Sequence, residues 1–122
     1  MTAFKEALRR VVERVPEARL VMVMGKDAIP IERLGRADDP SRSLEAVAAE
    51  YTTALRSAVS ASSDTGLGEL RELTVVTQGM TAMIVSITPE YYLFAALSPK
   101  ALIGRARYAL HLASLELARE FA

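Results

Sequence analysis

Five consecutive apolar residues, Leu20-Val21-Met22-Val23-Met24, set the strongest limit on what this chain can become. The run is too short for a globular helix, and it lacks the polar alternation of a strand with one wet face. A strand covered on both sides accommodates it. The fold therefore has to place a layer of structure on each face of a sheet. With 122 residues it has to do so within one domain, 1–122.

Upstream, Phe4, Leu8, Val11 and Val15 recur at three- and four-residue spacing, with Lys5, Glu6, Arg9, Arg10 and Glu13 on the other side. That pattern predicts a helix over residues 2–14, ended by Pro16. Residues 18–24 form the first strand, Gly25-Lys26-Asp27-Ala28 a turn, and Ile29-Pro30-Ile31-Glu32-Arg33 a second strand. Proline cannot donate to a ladder, which sends this second strand to a sheet edge. A polar loop over 34–40 ends in Asp39-Pro40, a cap followed by a first-turn proline, and predicts a helix from about residue 41 to 62. Gly66 and Gly68 mark its exit. A third strand runs near 69–77, the Gln78-Gly79-Met80 turn leads to a fourth over 81–88, and Thr88-Pro89-Glu90 turns into a fifth over 91–97. Ser98-Pro99 repeats the cap-and-proline signal and predicts a last helix through about residue 121.

The order is α-β-β-α-β-β-β-α. Two groups of hairpin-linked strands, separated and flanked by helices, predict an α+β class: a five-stranded antiparallel sheet with helices on both faces. Unrolling the second helix at about 100° per residue puts Leu44, Val47, Ala48, Tyr51, Leu55, Ala58 and Val59 on the sheet side. Opposite them run Ala46, Ala49, Thr53, Ser57 and Ser60, all small. A solvated face ordinarily carries long charged side chains, whereas a small-residue stripe lets another backbone approach closely. The stripe is read as a partner or dimer surface, against the plainer reading of weakly selected exposed surface.

In the last helix Leu102, Ile103, Ala106, Ala109, Leu110, Ala113, Leu117 and Phe121 form the core stripe. Tyr108, Leu112 and Leu115 make a second strip, explained first by packing on helix one and otherwise by a second partner. The third strand carries Leu73, Thr74, Val75, Val76 and Thr77 with no proline. At a sheet edge such a run needs cover, and pairing with the same strand of a second copy supplies it. Charges at Glu69, Arg71 and Glu72 are the alternative guard.

Little in the chain points to chemistry. Fifteen basic and fifteen acidic residues cancel, so no electrostatic footprint for nucleic acid or anionic lipid exists. There is no cysteine, and His111 alone cannot make an ordinary zinc site. His111 reads as a surface residue on the polar side of its helix, with no serine or cysteine elbow near it. Asp38-Asp39 is explained by capping, and Gly25-Lys26-Asp27 lacks the spacing of a phosphate loop. No apolar run approaches the roughly 20 residues of a membrane helix, and the N-terminus has a charged amphipathic pattern, so a cytoplasmic address is expected. The sequence predicts no catalytic residue, no cofactor and no metal.

Order and local phrases together make the chain similar to the Roadblock/dynein-light-chain family, in particular its bacterial MglB-like branch. The likeness spans residues 4–121. It is carried by Leu20-Val-Met-Val-Met-Gly-Lys-Asp-Ala-Ile-Pro-Ile, the small-residue helix over 44–60, the meander over 73–97, and Pro99-Lys-Ala-Leu-Ile-Gly-Arg-Ala-Arg with Gly104 where such proteins often have glycine. The resemblance implies a Roadblock-like, profilin-like sandwich and a homodimer whose sheets join into one of ten strands. It also implies a platform of paired second helices that contacts a small Ras-like GTPase, in some members accelerating GTP hydrolysis without donating a catalytic residue. A purely structural scaffold is the alternative, and a small-molecule sensor is a third reading that needs a polar-lined pocket.

Overall fold

The computed structural model describes residues 2–36 and 41–121, and only the backbone of 41–43. Its elements are α1 (Ala3–Arg14), β1 (Ala18–Gly25), β2 (Pro30–Gly35), α2 (Ser41–Asp64), β3 (Glu72–Val76), β4 (Thr81–Thr88), β5 (Tyr91–Leu97) and α3 (Ile103–Glu120). The order matches the expected α+β arrangement. All strand pairs are antiparallel, in the spatial order β2-β1-β5-β4-β3. The two edges are β2, which holds Pro30, and β3.

The apolar run in β1 is explained by two cores. Val21 and Val23 point into a cluster with Leu8, Val11, Leu110 and Leu117 from α1 and α3. Leu20, Met22 and Met24 point the other way, toward Leu44, Ala48 and Leu55 of α2. Strand β5 divides likewise, with Leu93, Ala95 and Leu97 on the first side and Tyr92, Phe94 and Ala96 on the second. An unbroken run is what a strand needs when both faces are dry.

Helix ends follow local chemistry. The Thr2 hydroxyl caps α1 by accepting from the Lys5 amide at 3.1 Å. At the exit of α2, Gly66 has φ 73°, while the Gly66 amide donates to the Ser63 carbonyl and the Leu67 amide to Ser62. That pair of bonds closes a helix with a left-handed residue, where glycine has no Cβ penalty. The expected Asp39-Pro40 cap of α2, and the Asp38-Asp39 pair, lie outside the described residues.

Two helix assignments need correction. Ser98-Pro99 does not open α3. The Ser98 hydroxyl accepts from the Lys100 amide at 3.2 Å and the Ala101 amide returns to the Ser98 carbonyl, so 98–101 is a turn. The helix starts five residues later than Ser98, at Ile103, and Leu102 is 58% exposed at its N-cap rather than in the core stripe. In α2, Val59 is 43% exposed, whereas the polar Thr52 is buried. Its hydroxyl donates to the Ala48 carbonyl at 2.9 Å and accepts from the Tyr92 phenol at 3.0 Å, which removes the penalty of burying it. Strand β3 also begins later than residue 69, and Thr77 lies beyond its end. Thr77 closes the hairpin, its hydroxyl donating to the Met80 carbonyl at 2.7 Å and accepting from the Met80 amide at 3.1 Å.

Candidate functional site

The two faces of the sheet are covered unequally. Five strands spaced about 4.8 Å apart make a sheet roughly 24 Å wide, and one helix covers about 10 Å of it. On one face α1 and α3 lie side by side, joined by the Phe4–Phe121 ring stack and the Arg10–Glu116 pair. On the other face stands α2 alone. Its long polar side chains tie it toward the β1–β2 hairpin: Glu45 pairs with Arg33 at 3.1 Å, and the Arg56 guanidinium donates twice to the Lys26 carbonyl at 3.2 and 2.9 Å. A helix pulled to one side leaves the other side short of cover.

That uncovered side is a ledge over β3. Val47 and Tyr51 of α2, with Leu73 and Val75 of β3 and Met80, are only partly buried against the α2-side core. The helical wheel puts Val47, Ala54, Ala58 and Ala61 opposite Glu45 and Arg56, so this flank of α2 faces the β3 edge. Along β3, Glu72, Thr74 and Val76 alternate to the α3 side, and Val76 is 64% exposed. Of the three charges that could guard this edge, Glu69 and Arg71 are exposed and Glu72 is engaged with the helical layer. Arg107 of α3 grips both Glu72 oxygens at 2.8 Å, and the Thr74 hydroxyl donates to the same carboxylate at 2.7 Å. The Arg107 bonds, with help from Thr74, hold the Glu72 carboxyl below its usual range despite partial burial.

The small-residue stripe occupies a different surface. Ala46, Ala49, Thr53, Ser57 and Ser60 are all exposed and point away from the sheet. The stripe and the β3 edge are therefore neighbours on the molecule rather than one patch. Tyr108 and Leu115 on α3 are 63% and 50% exposed, so packing on α1 does not account for them; Leu112 is partly covered. His111 is exposed on the same helix.

Beneath the C-terminal half of α2 lies a groove of about 730 Å³. Leu55, Val59, Ile84 and Tyr92 supply its apolar surface, and Arg56, Ser60, Ser86 and Thr88 its polar groups. Further polar lining comes from Lys26 and Asp27 of the β1–β2 turn and from Glu69, Arg71 and Glu72 at the entry to β3, which strand composition alone did not reveal. Burial pushes the Tyr92 phenol up from its ordinary value, against the opposing effect of its bond to Thr52. Gly25-Lys26-Asp27-Ala28 is a tight turn in which the Asp27 carboxylate accepts from the Ile29 amide and Ala28 has φ 71°. Among the described residues no three His, Cys, Asp or Glu side chains cluster as metal ligands, and no described helix is long and apolar enough to cross a membrane.

Solved structures of known proteins share this architecture. The gliding protein MglB of Thermus thermophilus superposes with a TM-score of 0.86 at 16% identity, covering 98% of this chain and 90% of that one. MglC of Myxococcus xanthus gives 0.73 at 24% identity over 98% and 99%. A Roadblock/LC7 domain from Streptomyces avermitilis gives 0.80 at 18% identity over 95% and 94%. At such identities the likeness establishes the fold. No curated protein matches the sequence. The Roadblock/LC7 domain profile, however, matches residues 4–97, from α1 to the end of β5, and the chain belongs to that family.

Proposed function

We propose that this chain is a non-enzymatic homodimeric module that binds a small Ras-like GTPase and modulates its nucleotide cycle. The observation that carries the reading is the half-covered sheet face: an unpaired β3 edge beside a partly buried apolar ledge on α2. A second copy related by a two-fold axis covers both at once, joining β3 to β3 and laying α2 against α2. An antiparallel crossing at Ala54 sets Val47 opposite Ala61 and Tyr51 level with Ser57, one residue from Ala58. Large side chains then meet small ones, and two small residues share the axis. The outward stripe of Ala46, Ala49, Thr53, Ser57 and Ser60 remains on the surface of that pair, as a low-relief platform for a guest. Likeness to MglB supports the same reading.

Light scattering on the purified protein should give a dimer, and Ala54→Arg should give a monomer; a monomeric wild type overturns the dimer. Co-elution with a Ras-like GTPase loaded with GDP or with a GTP analogue, followed by the hydrolysis rate, tests the rest. Binding in neither state ends the proposal, while binding with an unchanged rate leaves the structural scaffold. The groove under α2 favours one other reading, a small-molecule sensor, which a metabolite retained through purification would support.

A further inference from the structure

We propose that the outward face of α3 is a second docking surface, independent of the dimer and GTPase reading, and that its occupant is an amphipathic helix with acidic residues at both ends of its apolar seam. Tyr108, Leu112 and Leu115 stand at i, i+4 and i+7, and Arg105 and Arg119 extend the same row by one step in each direction. The row 105–108–112–115–119 is a heptad seam about 21 Å long at 1.5 Å per residue. It points away from the sheet, because both flanks of α3 are already engaged. Glu116 meets Arg10 of α1 on one side, and Arg107 meets Glu72 of β3 on the other.

Those contacts fix the sign of the surface. The carboxylates that flank α3, Glu116 and Glu72, are held by Arg10 and Arg107, and the exposed Glu120 lies about 100° round the helix from Arg119. The Arg105 and Arg119 side chains are exposed and bridge to no carboxylate among the described residues. An apolar centre between two cations asks for an apolar centre between two anions. A second copy of α3 is a poor occupant: crossed antiparallel at Leu112, Arg105 would face Arg119, and in parallel each arginine would face its twin. The row is also one residue wide, which suits the seam of a helix better than a lipid surface.

The test uses the full chain and two synthetic helical peptides of 21 residues. Both carry leucine at the central seam positions, one with glutamate and the other with arginine at the seam ends. Fluorescence anisotropy should show the glutamate-ended peptide binding at least about tenfold more tightly, with the preference weakened by salt. Tyr108→Ser with Leu115→Ser should abolish binding while leaving the circular dichroism spectrum and the elution volume unchanged. Arg105→Glu with Arg119→Glu should reverse the preference between peptides, which keeps the test decisive if the serine variant misfolds. Equal binding of the two peptides, binding of neither, or a preference that survives the charge reversal overturns the proposal. So does binding to phosphatidylserine vesicles that depends on the same five residues, which would assign the face to a membrane surface.

Discussion

The two helical layers of this protein differ in width and in what they present outward. The α1/α3 layer is two helices wide, internally stacked and salt-bridged, and its outer face carries large side chains between arginines. The α2 layer is one helix wide, tied to one side, and its outer face carries a stripe of small residues beside the exposed Glu50. A doubly covered sheet needs cover on both faces. The first layer supplies it from within the chain. The second supplies about half, and the deficit is the surface on which the proposed second copy rests. Flat small-residue surface loses little side-chain entropy on docking, whereas an anchor such as Tyr108 gains more per residue once desolvated.

The contrast can be broken first at the core. Leu93 and Phe94 are consecutive, fully buried, and face opposite layers. Phe94→Ala should cost about 3–5 kcal/mol and Leu93→Ala about 2–5 kcal/mol, read from urea unfolding followed by tryptophan-free far-ultraviolet circular dichroism. Both values assume that each layer is firmly packed. A Phe94→Ala loss under about 1 kcal/mol would mean that α2 collapses into the space or is held mainly by a partner.

One buried contact joins α2 to the sheet centre. Tyr92→Phe removes the phenol that donates to Thr52 and should cost about 1 kcal/mol, since Thr52 keeps its bond to the Ala48 carbonyl. Equal unfolding midpoints for wild type and variant would show that this bond adds nothing.

The outer faces sharpen the comparison differently. Thr53→Arg and Tyr108→Ser change exposed residues and should each shift stability by less than about 0.5 kcal/mol. Their binding effects should separate. Thr53→Arg is expected to keep the dimer and lose the GTPase, whereas Tyr108→Ser should keep both. Loss of the dimer in Thr53→Arg, seen by light scattering, would move the helix–helix contact from the Ala54 flank to the outward stripe.

Much of this was legible in the chain, for reasons that also mark where it stopped. The β1 run declared a strand with two dry faces, Pro30 declared an edge, and the bounds of β4 and β5 fell where proline and glycine turns required. Periodicity tells which side of a helix is apolar. It does not tell which strand stands on each flank, so the Val47–Ala54–Ala58 flank became visible only once Glu45 was seen paired with Arg33. Thr52 and Val59 show the same limit, because burial of the first depends on Tyr92, forty residues away in sequence. Ser98 shows another: cap and turn use the same hydroxyl, and only the bond to the Lys100 amide separates them.

The smallest expected effect lies where the two layers meet, at the Glu72–Arg107 clamp between the β3 edge and α3. The Arg107 guanidinium, assisted by Thr74, lowers the folded-state pKa of Glu72 below its unfolded value. A carboxylate shifted downward contributes stability that is fully present above its unfolded pKa and lost as pH falls through its folded pKa. Arg107 is about half exposed, so solvent screens the pair and the contribution is small. Glu72→Gln should therefore unfold slightly more easily than wild type at pH 7, and the two stabilities should converge as the medium is acidified below the carboxylate range. Urea midpoints at pH 7, 5 and 3 would check this. A gap that stayed constant with pH would mean that Glu72 holds α3 to the edge strand by shape and neutral hydrogen bonding, leaving the arginine charge without a part in joining the layers.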